Sequence, residues 1–317
     1  MTGKHKPKVV VIGGGTGMPV LLQGLKEYPV ELTAVVTVAD DGGSTGEIRN
    51  VINIPAPGDI RNVIAALANV DRDLYELFQY RIEGNNGLAG HALGNLLLAA
   101  TNEITGDFSL AVSKVAELFN VKANVYPVVN EPVTLHAEME DGTIVSGEST
   151  IPLKNKKINR IFLTPENPTP NRHVIEAIKT VDLVVISPGS LYTSILPNLV
   201  IEDVIRALSE TKATVVYVCN IMTQPGETIG YTASEHVNAI YTHTKQPFID
   251  IIIVQNDPID GTILQTYKEE GANQVVIDYD SLEKLGLHII AENVVDHNRQ
   301  IIRHNYKKIS KILYNLV

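Results

Sequence analysis

The stretch VVVIGGGTGMPVLLQGL, residues 9–25, decides the fold. Its first four residues are β-branched and apolar at every position, which marks a strand buried on both faces. The strand runs without a spacer into Gly13, Gly14, Gly15, Thr16 and Gly17, and then into an apolar segment with helical spacing. A glycine turn in that setting lets backbone N–H groups approach a phosphate, and the helix N-terminus adds its partial positive charge. The spacing departs from the dinucleotide fingerprint because Met18 follows Gly17, and no lysine completes a P-loop. A tight strand-to-helix turn without a ligand is the alternative reading of the same residues.

Working outward, similar apolar runs recur at residues 32–38, 183–187, 214–218, 249–254 and 274–277. Between them lie helix-period segments at 18–26, 59–68, 172–179, 200–209, 233–242, 262–269 and 281–285. Such alternation predicts an α/β fold: a Rossmann-like, mostly parallel sheet with helices on both faces. Residues 133–150 alternate apolar and polar positions around Asp141-Gly142, which predicts a small antiparallel hairpin insertion at about 125–165. Pro165, Pro168 and Pro170 then return the chain to the sheet, with Asn171 as a helix cap. Residues 299–317 place Ile302, Ile309, Ile312, Leu313 and Leu316 at near-helical intervals, as expected for a terminal helix docked on the sheet. The whole of 1–317 is expected to form one domain, since large α/β folds often exceed the usual length of roughly 150 residues per domain.

Composition narrows the function. With 26 Lys+Arg against 36 Asp+Glu the net charge is −10, which argues against a basic face for nucleic acid or anionic membranes. Small anions must then be held by backbone amides and hydroxyls. The single cysteine, Cys219, cannot form an internal disulfide. No stretch reaches the roughly 18 apolar residues of a membrane span, and glycines interrupt the apolar run near the N-terminus before a signal-peptide core is complete. A cytoplasmic protein is expected, without membrane insertion.

Four further loops carry candidate chemistry. Residues 39–46 include Asp40, Asp41 and Ser44 at the tip of the second strand. An acid at this position holds a ribose in dinucleotide folds, and two carboxylates can share a hydrated Mg²⁺; an Asp-Gly turn with solvated acids is the other reading. Residues 57–62 open a helix in which Asp59 reads as a cap while Arg61 and Asn62 can reach an anion. His91 and Asn95 fall one turn apart on one helix face, where His91 is either a phosphate donor or acid, or a structural histidine. Gly189, Ser190 and Tyr192 follow the buried run at 183–187, and Asn220 follows the next one. Ligands of open α/β sheets bind outside the carboxyl ends of the strands, so these loops together predict one polyanionic or nucleotide ligand. No G-x-S-x-G, H-E-x-x-H or cysteine cluster is present, which leaves serine hydrolase, zincin and structural zinc readings unsupported.

Read together, VVVIGGGTGMPVLLQGL (9–25), TVADDGGSTGEIR (37–49), PGDIRNVIAAL (57–67), GHALGNLLLAA (90–100), ISPGSLYTSILPNL (186–199) and CNIMTQPGET (219–228) resemble the gluconeogenesis factor (YvcK) family. That family is similar in fold to the 2-phospho-L-lactate transferases, the CofD-like proteins, which use Mg²⁺ and a nucleotide-activated phospholactate. The resemblance implies a nucleotide-sugar ligand of the UDP-N-acetylglucosamine type and a regulatory role in growth on gluconeogenic carbon sources, cell shape and peptidoglycan synthesis. It places the Gly13 to Gly17 loop, with Gly14, Gly15, Thr16 and Gly17, and Ser190 at the diphosphate, and Asp40 and Asp41 where the transferases keep metal- and substrate-binding acids. Tyr267 and Arg303 match family positions for base or diphosphate recognition, as a stacking ring and a guanidinium; an amphipathic helix residue and a solvated basic face are their plain alternatives. A non-catalytic regulator is the first expectation and a Mg-dependent phospholactate-type transferase the second, with Asp40 and Asp41 as its catalytic acids. An NAD oxidoreductase ranks below both. A protein partner in cell-wall synthesis and a homodimer complete the expected associations.

Overall fold

Continuous apolar runs form a sheet here because both faces can be covered. The computed structural model describes residues 6–84, 87–259, 261–296 and 301–317. Seven parallel strands form the main sheet: β1 (Lys8–Gly13), β2 (Glu31–Val36), β3 (Asn124–Pro127), β7 (Leu183–Ile186), β8 (Thr214–Val218), β9 (Ile251–Gln255) and β10 (His288–Glu292), in the order β10-β9-β8-β7-β1-β2-β3. The central β1 pairs with β2 on one side, Val9 opposite Leu32, and with β7 on the other, Val9 opposite Leu183. The chain reverses its direction of travel across the sheet between β1 and β7. At such a switch point the loops leaving neighbouring strands diverge and open a crevice.

The remaining strands, β4 (Thr134–Met139), β5 (Ile144–Ser146) and β6 (Ile158–Thr164), form an antiparallel sheet in the order β5-β4-β6. The expected hairpin is thus its β4–β5 half, and β6 adds a third strand because its inward residues Ile158, Ile161 and Leu163 share the core with Leu135, Ala137 and Met139. That core is continuous with the main sheet. A second tie joins the two sheets: the Ile161 N–H donates to His243 Nε2 at 3.0 Å, from the helix Ala233–Thr244.

Three expectations about elements require correction. Residues 274–277 make only single bridges, Gln274 to Met222 and Val276 to Thr232, and the outer strand is instead β10. β3 was not anticipated as a parallel edge strand, because it is only four residues long and ends in proline. The terminal helix Tyr306–Tyr314 docks on the helix Gly17–Leu25 and not on the sheet: Gly24 lies under Ser310 and Tyr306, and Tyr28 meets Tyr314 with ring centroids 4.8 Å apart. Asn171 caps Arg172–Thr180 as expected, its side chain accepting from the His173 N–H at 3.0 Å.

Candidate functional site

The crevice at the switch point holds a cleft of about 270 Å³. One end is formed by Thr16, Gly17 and Val20 at the start of the helix Gly17–Leu25, with Pro188, Gly189 and Ser190 from the loop after β7. The other end is formed by Tyr267, Ile302, Arg303 and His304, and Asn220 to Gln224 from the loop after β8 run between them. Thr16, Gly17, Gly189, Ser190, Asn220, Tyr267 and Arg303, all singled out in the sequence, therefore share one cavity.

Local packing fixes this geometry. A Cβ on Gly17 would stand 2.2 Å from the Pro188 carbonyl oxygen, so the two loops touch only because residue 17 has no side chain. Asn220 staples Gly189 by two hydrogen bonds, accepting from its N–H at 3.1 Å and donating to its carbonyl at 2.8 Å. Beneath the loops the fully buried Asn198 donates from Nδ2 to the carbonyls of Gly13 (3.2 Å) and Ser194 (2.9 Å). The buried Glu227 accepts from the Tyr192 N–H (2.9 Å) and the Thr193 hydroxyl (2.8 Å) and so holds the turn that follows Ser190. At the far end the Tyr267 hydroxyl accepts from the Ile302 N–H at 3.0 Å, and His304 Nε2 meets the Cys219 carbonyl at 3.1 Å. These contacts bind residues 302–304 to the cleft as a wall, with Ile302 in a small apolar cluster beside Ile221, Ile259 and Val295.

A second group of polar residues lies on the β2 side of the glycine loop. Gly15, at φ +63°, turns its N–H onto Asp59 Oδ2 at 2.7 Å. Gly14 and Gly15 are thus packed between Asp59 and Ser194, and the cleft itself is lined by Thr16 and Gly17. Asp59 does not cap its own helix, Gly58–Leu67, but buttresses the neighbouring loop; burial pushes its pKa up to about 6. Asp40 Oδ1 accepts from the Gly42 N–H at 2.8 Å, and Asp41 Oδ1 from the Ser149 N–H at 2.9 Å. Asp41 therefore clamps the loop after β5. That loop brings in Glu148, whose pKa rises to about 8, chiefly through burial and then through Asp40 and Asp59. Asn62 sits beside this group and accepts from Arg61 at 2.6 Å.

Ser44, His91 and Asn95 form a buried knot. The Ser44 hydroxyl accepts from the Ala92 N–H (3.3 Å) and from Asn95 Nδ2 (3.1 Å), so its own proton goes to His91 Nδ1 at 3.2 Å. His91 Nε2 then faces Glu47 at 3.1 Å. The knot joins the start of helix Gly43–Val51 to the start of helix Leu93–Thr105, outside the cleft. Tyr192 is also elsewhere: it is buried, with its hydroxyl 2.8 Å from that of Tyr231. Sequence reasoning passed over His304, Glu148, Asn198 and Glu227. Asn198 and Glu227 lie within the quoted segments 186–199 and 219–228, which is the one signal that could have found them, and Asp59 of the Pro-Gly-Asp turn reads in the sequence as a cap.

A sheet of this topology with glycine-rich loops at its switch point defines a Rossmann-like class, and the family model for 2-phospho-L-lactate transferase CofD matches residues 9–295. The relatives narrow this. The gluconeogenesis factor of Halalkalibacterium halodurans is 50% identical over 308 residues, covering 97% of this chain and 96% of its own. That of Bacillus subtilis is 49% identical over 313 residues, covering 99% of each. A crystal structure of a Bacillus halodurans protein superposes with a TM-score of 0.95 at 50% identity, over 98% of this chain and 99% of that one. The chain belongs to the gluconeogenesis factor family, within the CofD-like proteins.

Proposed function

We propose that the chain is a regulatory protein that binds a nucleotide sugar of the UDP-N-acetylglucosamine type and supports growth on gluconeogenic carbon sources, cell shape and peptidoglycan synthesis. The observation that carries this reading is the single cleft that unites a helix N-terminus and Ser190 at one end with Tyr267 and Arg303 at the other. A diphosphate suits the first end, where amides and the helix dipole favour negative charge. A base suits the second, where a ring can stack and a guanidinium can pair with phosphate oxygens. Calorimetric titration with UDP-N-acetylglucosamine tests the reading: the native protein binds, and Arg303→Ala weakens binding at least tenfold. Absence of binding by any nucleotide sugar sinks it. A protein partner in cell-wall synthesis and a homodimer belong to this reading as routes by which occupancy is signalled.

The second reading is a Mg²⁺-dependent transferase of the 2-phospho-L-lactate transferase type, favoured by the convergence of Asp40, Asp59 and Glu148 beside the glycine loop. Among the described residues no three His, Cys, Asp or Glu side chains are grouped as a metal cage. Hydrated Mg²⁺ requires only one or two carboxylates, and Asp40 suits it because, among the described residues, only its Oδ1 is hydrogen-bonded. Bound there, the ion would neutralise developing phosphate charge. Asp59, whose pKa burial pushes up to about 6, buttresses the glycine loop beside that position. Product formation from a nucleotide-diphosphate substrate, lost in Asp40→Asn, supports this reading; no turnover with any acceptor removes it.

A further inference from the structure

Arg61 is a buried guanidinium with few partners. It leaves the helix Gly58–Leu67 near its start and runs beneath the start of the helix Leu93–Thr105, where a Cβ on Gly94 would stand 2.8 Å from Arg61 Cγ. The residue is only 7% exposed. Among the described residues it forms no ion pair, and its one hydrogen bond runs from Nη2 to the Asn62 carboxamide oxygen at 2.6 Å. Nε is sealed in without a partner, and so is Oδ1 of the neighbouring Asn95. Nη1 is also unpartnered among the described residues but is not sealed, so this nitrogen can be reached from outside. Burial lowers the Arg61 pKa, and the Arg81 charge acts next in the same direction, while Asp40 and Asp59 oppose them from beyond ion-pair distance. A guanidinium stays charged in a protein, so its desolvation here is only partly offset.

A second guanidinium is fixed beside the same helix start. Arg81 bridges Ala92 through the backbone, the Leu93 N–H donates to the Tyr80 carbonyl at 2.9 Å, and Arg81 Nη1 donates to the Gly90 carbonyl at 3.0 Å. The helix Leu93–Thr105 has Ala92 at its N-cap and no side-chain cap, so its first amides add partial positive charge. Neither arginine lines the switch-point cleft. We infer that Arg61, Arg81 and the N-terminus of this helix form a second anion site, separate from the cleft, which takes the phosphate group of a small molecule. A phosphate dianion brings several acceptor oxygens to two guanidiniums that otherwise repel each other, and it supplies the counter-charge that Arg61 lacks. The site goes beyond the nucleotide-sugar reading and does not depend on what the cleft holds.

The test is calorimetric titration of the full chain with inorganic phosphate, first alone and then with UDP-N-acetylglucosamine in saturating excess. The native protein binds phosphate under both conditions. Arg81→Ala, at an exposed position, weakens phosphate binding about tenfold and leaves nucleotide-sugar affinity within about threefold. A second measurement needs no substitution: in ¹⁵N spectra of the native arginine side chains, phosphate moves the Arg61 Nε–H signal. Glycerol 3-phosphate separates the sources of the anion, since tighter binding than inorganic phosphate assigns the site to a phosphorylated metabolite and weaker binding to the free ion, and both uphold it. Absence of phosphate binding, its loss when nucleotide sugar is added, native-like phosphate affinity in Arg81→Ala, or an unmoved Arg61 signal overturns the inference. The nucleotide-sugar reading stands through all of these results. It fails if no nucleotide sugar binds, and the titrations with phosphate alone then still decide the second site.

Discussion

At the scale of single residues, the site is governed by what each side chain is denied as much as by what it holds. Gly17→Ala puts a methyl group against the Pro188 carbonyl and costs about 1–3 kcal/mol of stability, measured by urea unfolding, together with loss of ligand binding. On the proposed nucleotide-sugar reading, Tyr267→Ala removes a stacking ring worth about 1–3 kcal/mol, so affinity for the nucleotide sugar falls roughly ten- to a hundredfold by calorimetry. Glu148 gives a pH signature. Its folded pKa of about 8 exceeds the ordinary 4.5, so from pH 4.5 upwards the unfolded chain releases this proton while the folded protein retains it. Its contribution to stability therefore falls as pH rises from 4.5 to 8, and Glu148→Gln makes the melting temperature flatter across that window. A variant melting profile parallel to the native one contradicts this account.

At the scale of elements, the small sheet is held to the main body by contacts that the alternation pattern could not reveal. His243 must stay neutral to accept from the Ile161 N–H, and burial lowers its pKa. His243→Phe leaves that amide unpaired, which costs about 1–3 kcal/mol and speeds hydrogen exchange in β6 ahead of β1. The core strands were legible because Val9 to Ile12, Leu183 to Ile186 and Thr214 to Val218 read apolar throughout, and the Asp141-Gly142 turn announced β4 and β5. β10 was hidden because its residues are only partly covered, and 274–277 misled because an equally apolar run was used for isolated bridges. In the site, Thr16, Gly17 and Ser190 were legible from their place after strands. His304 and Glu148 were not, because their roles depend on Cys219 and Asp59, which lie far from them in sequence.

At the scale of the whole molecule, a net charge of −10 is compatible with the anionic ligand proposed above. The cleft offers a helix end and Arg303, and the carboxylates gather on the other side of the glycine loop, where burial and mutual repulsion push the pKa of Glu148 up to about 8 and favour its neutral form. UDP-N-acetylglucosamine at 100 times its Kd should add about 2.7 kcal/mol to unfolding stability, seen as a rise in melting temperature. Arg303→Ala abolishes most of that rise without lowering the melting temperature of the free protein, because the side chain is exposed.

The placement of β1 also has a kinetic consequence. Its first neighbour, β2, is close along the chain, but its second, β7, begins at residue 183, and the far wall of the cleft at residues 302–304 is later still. Contacts between such distant segments are slow to form because long loops must close before they are rewarded. Refolding experiments should therefore show sheet structure recovering before the cleft is complete, with competence for the proposed ligand among the last properties the chain acquires.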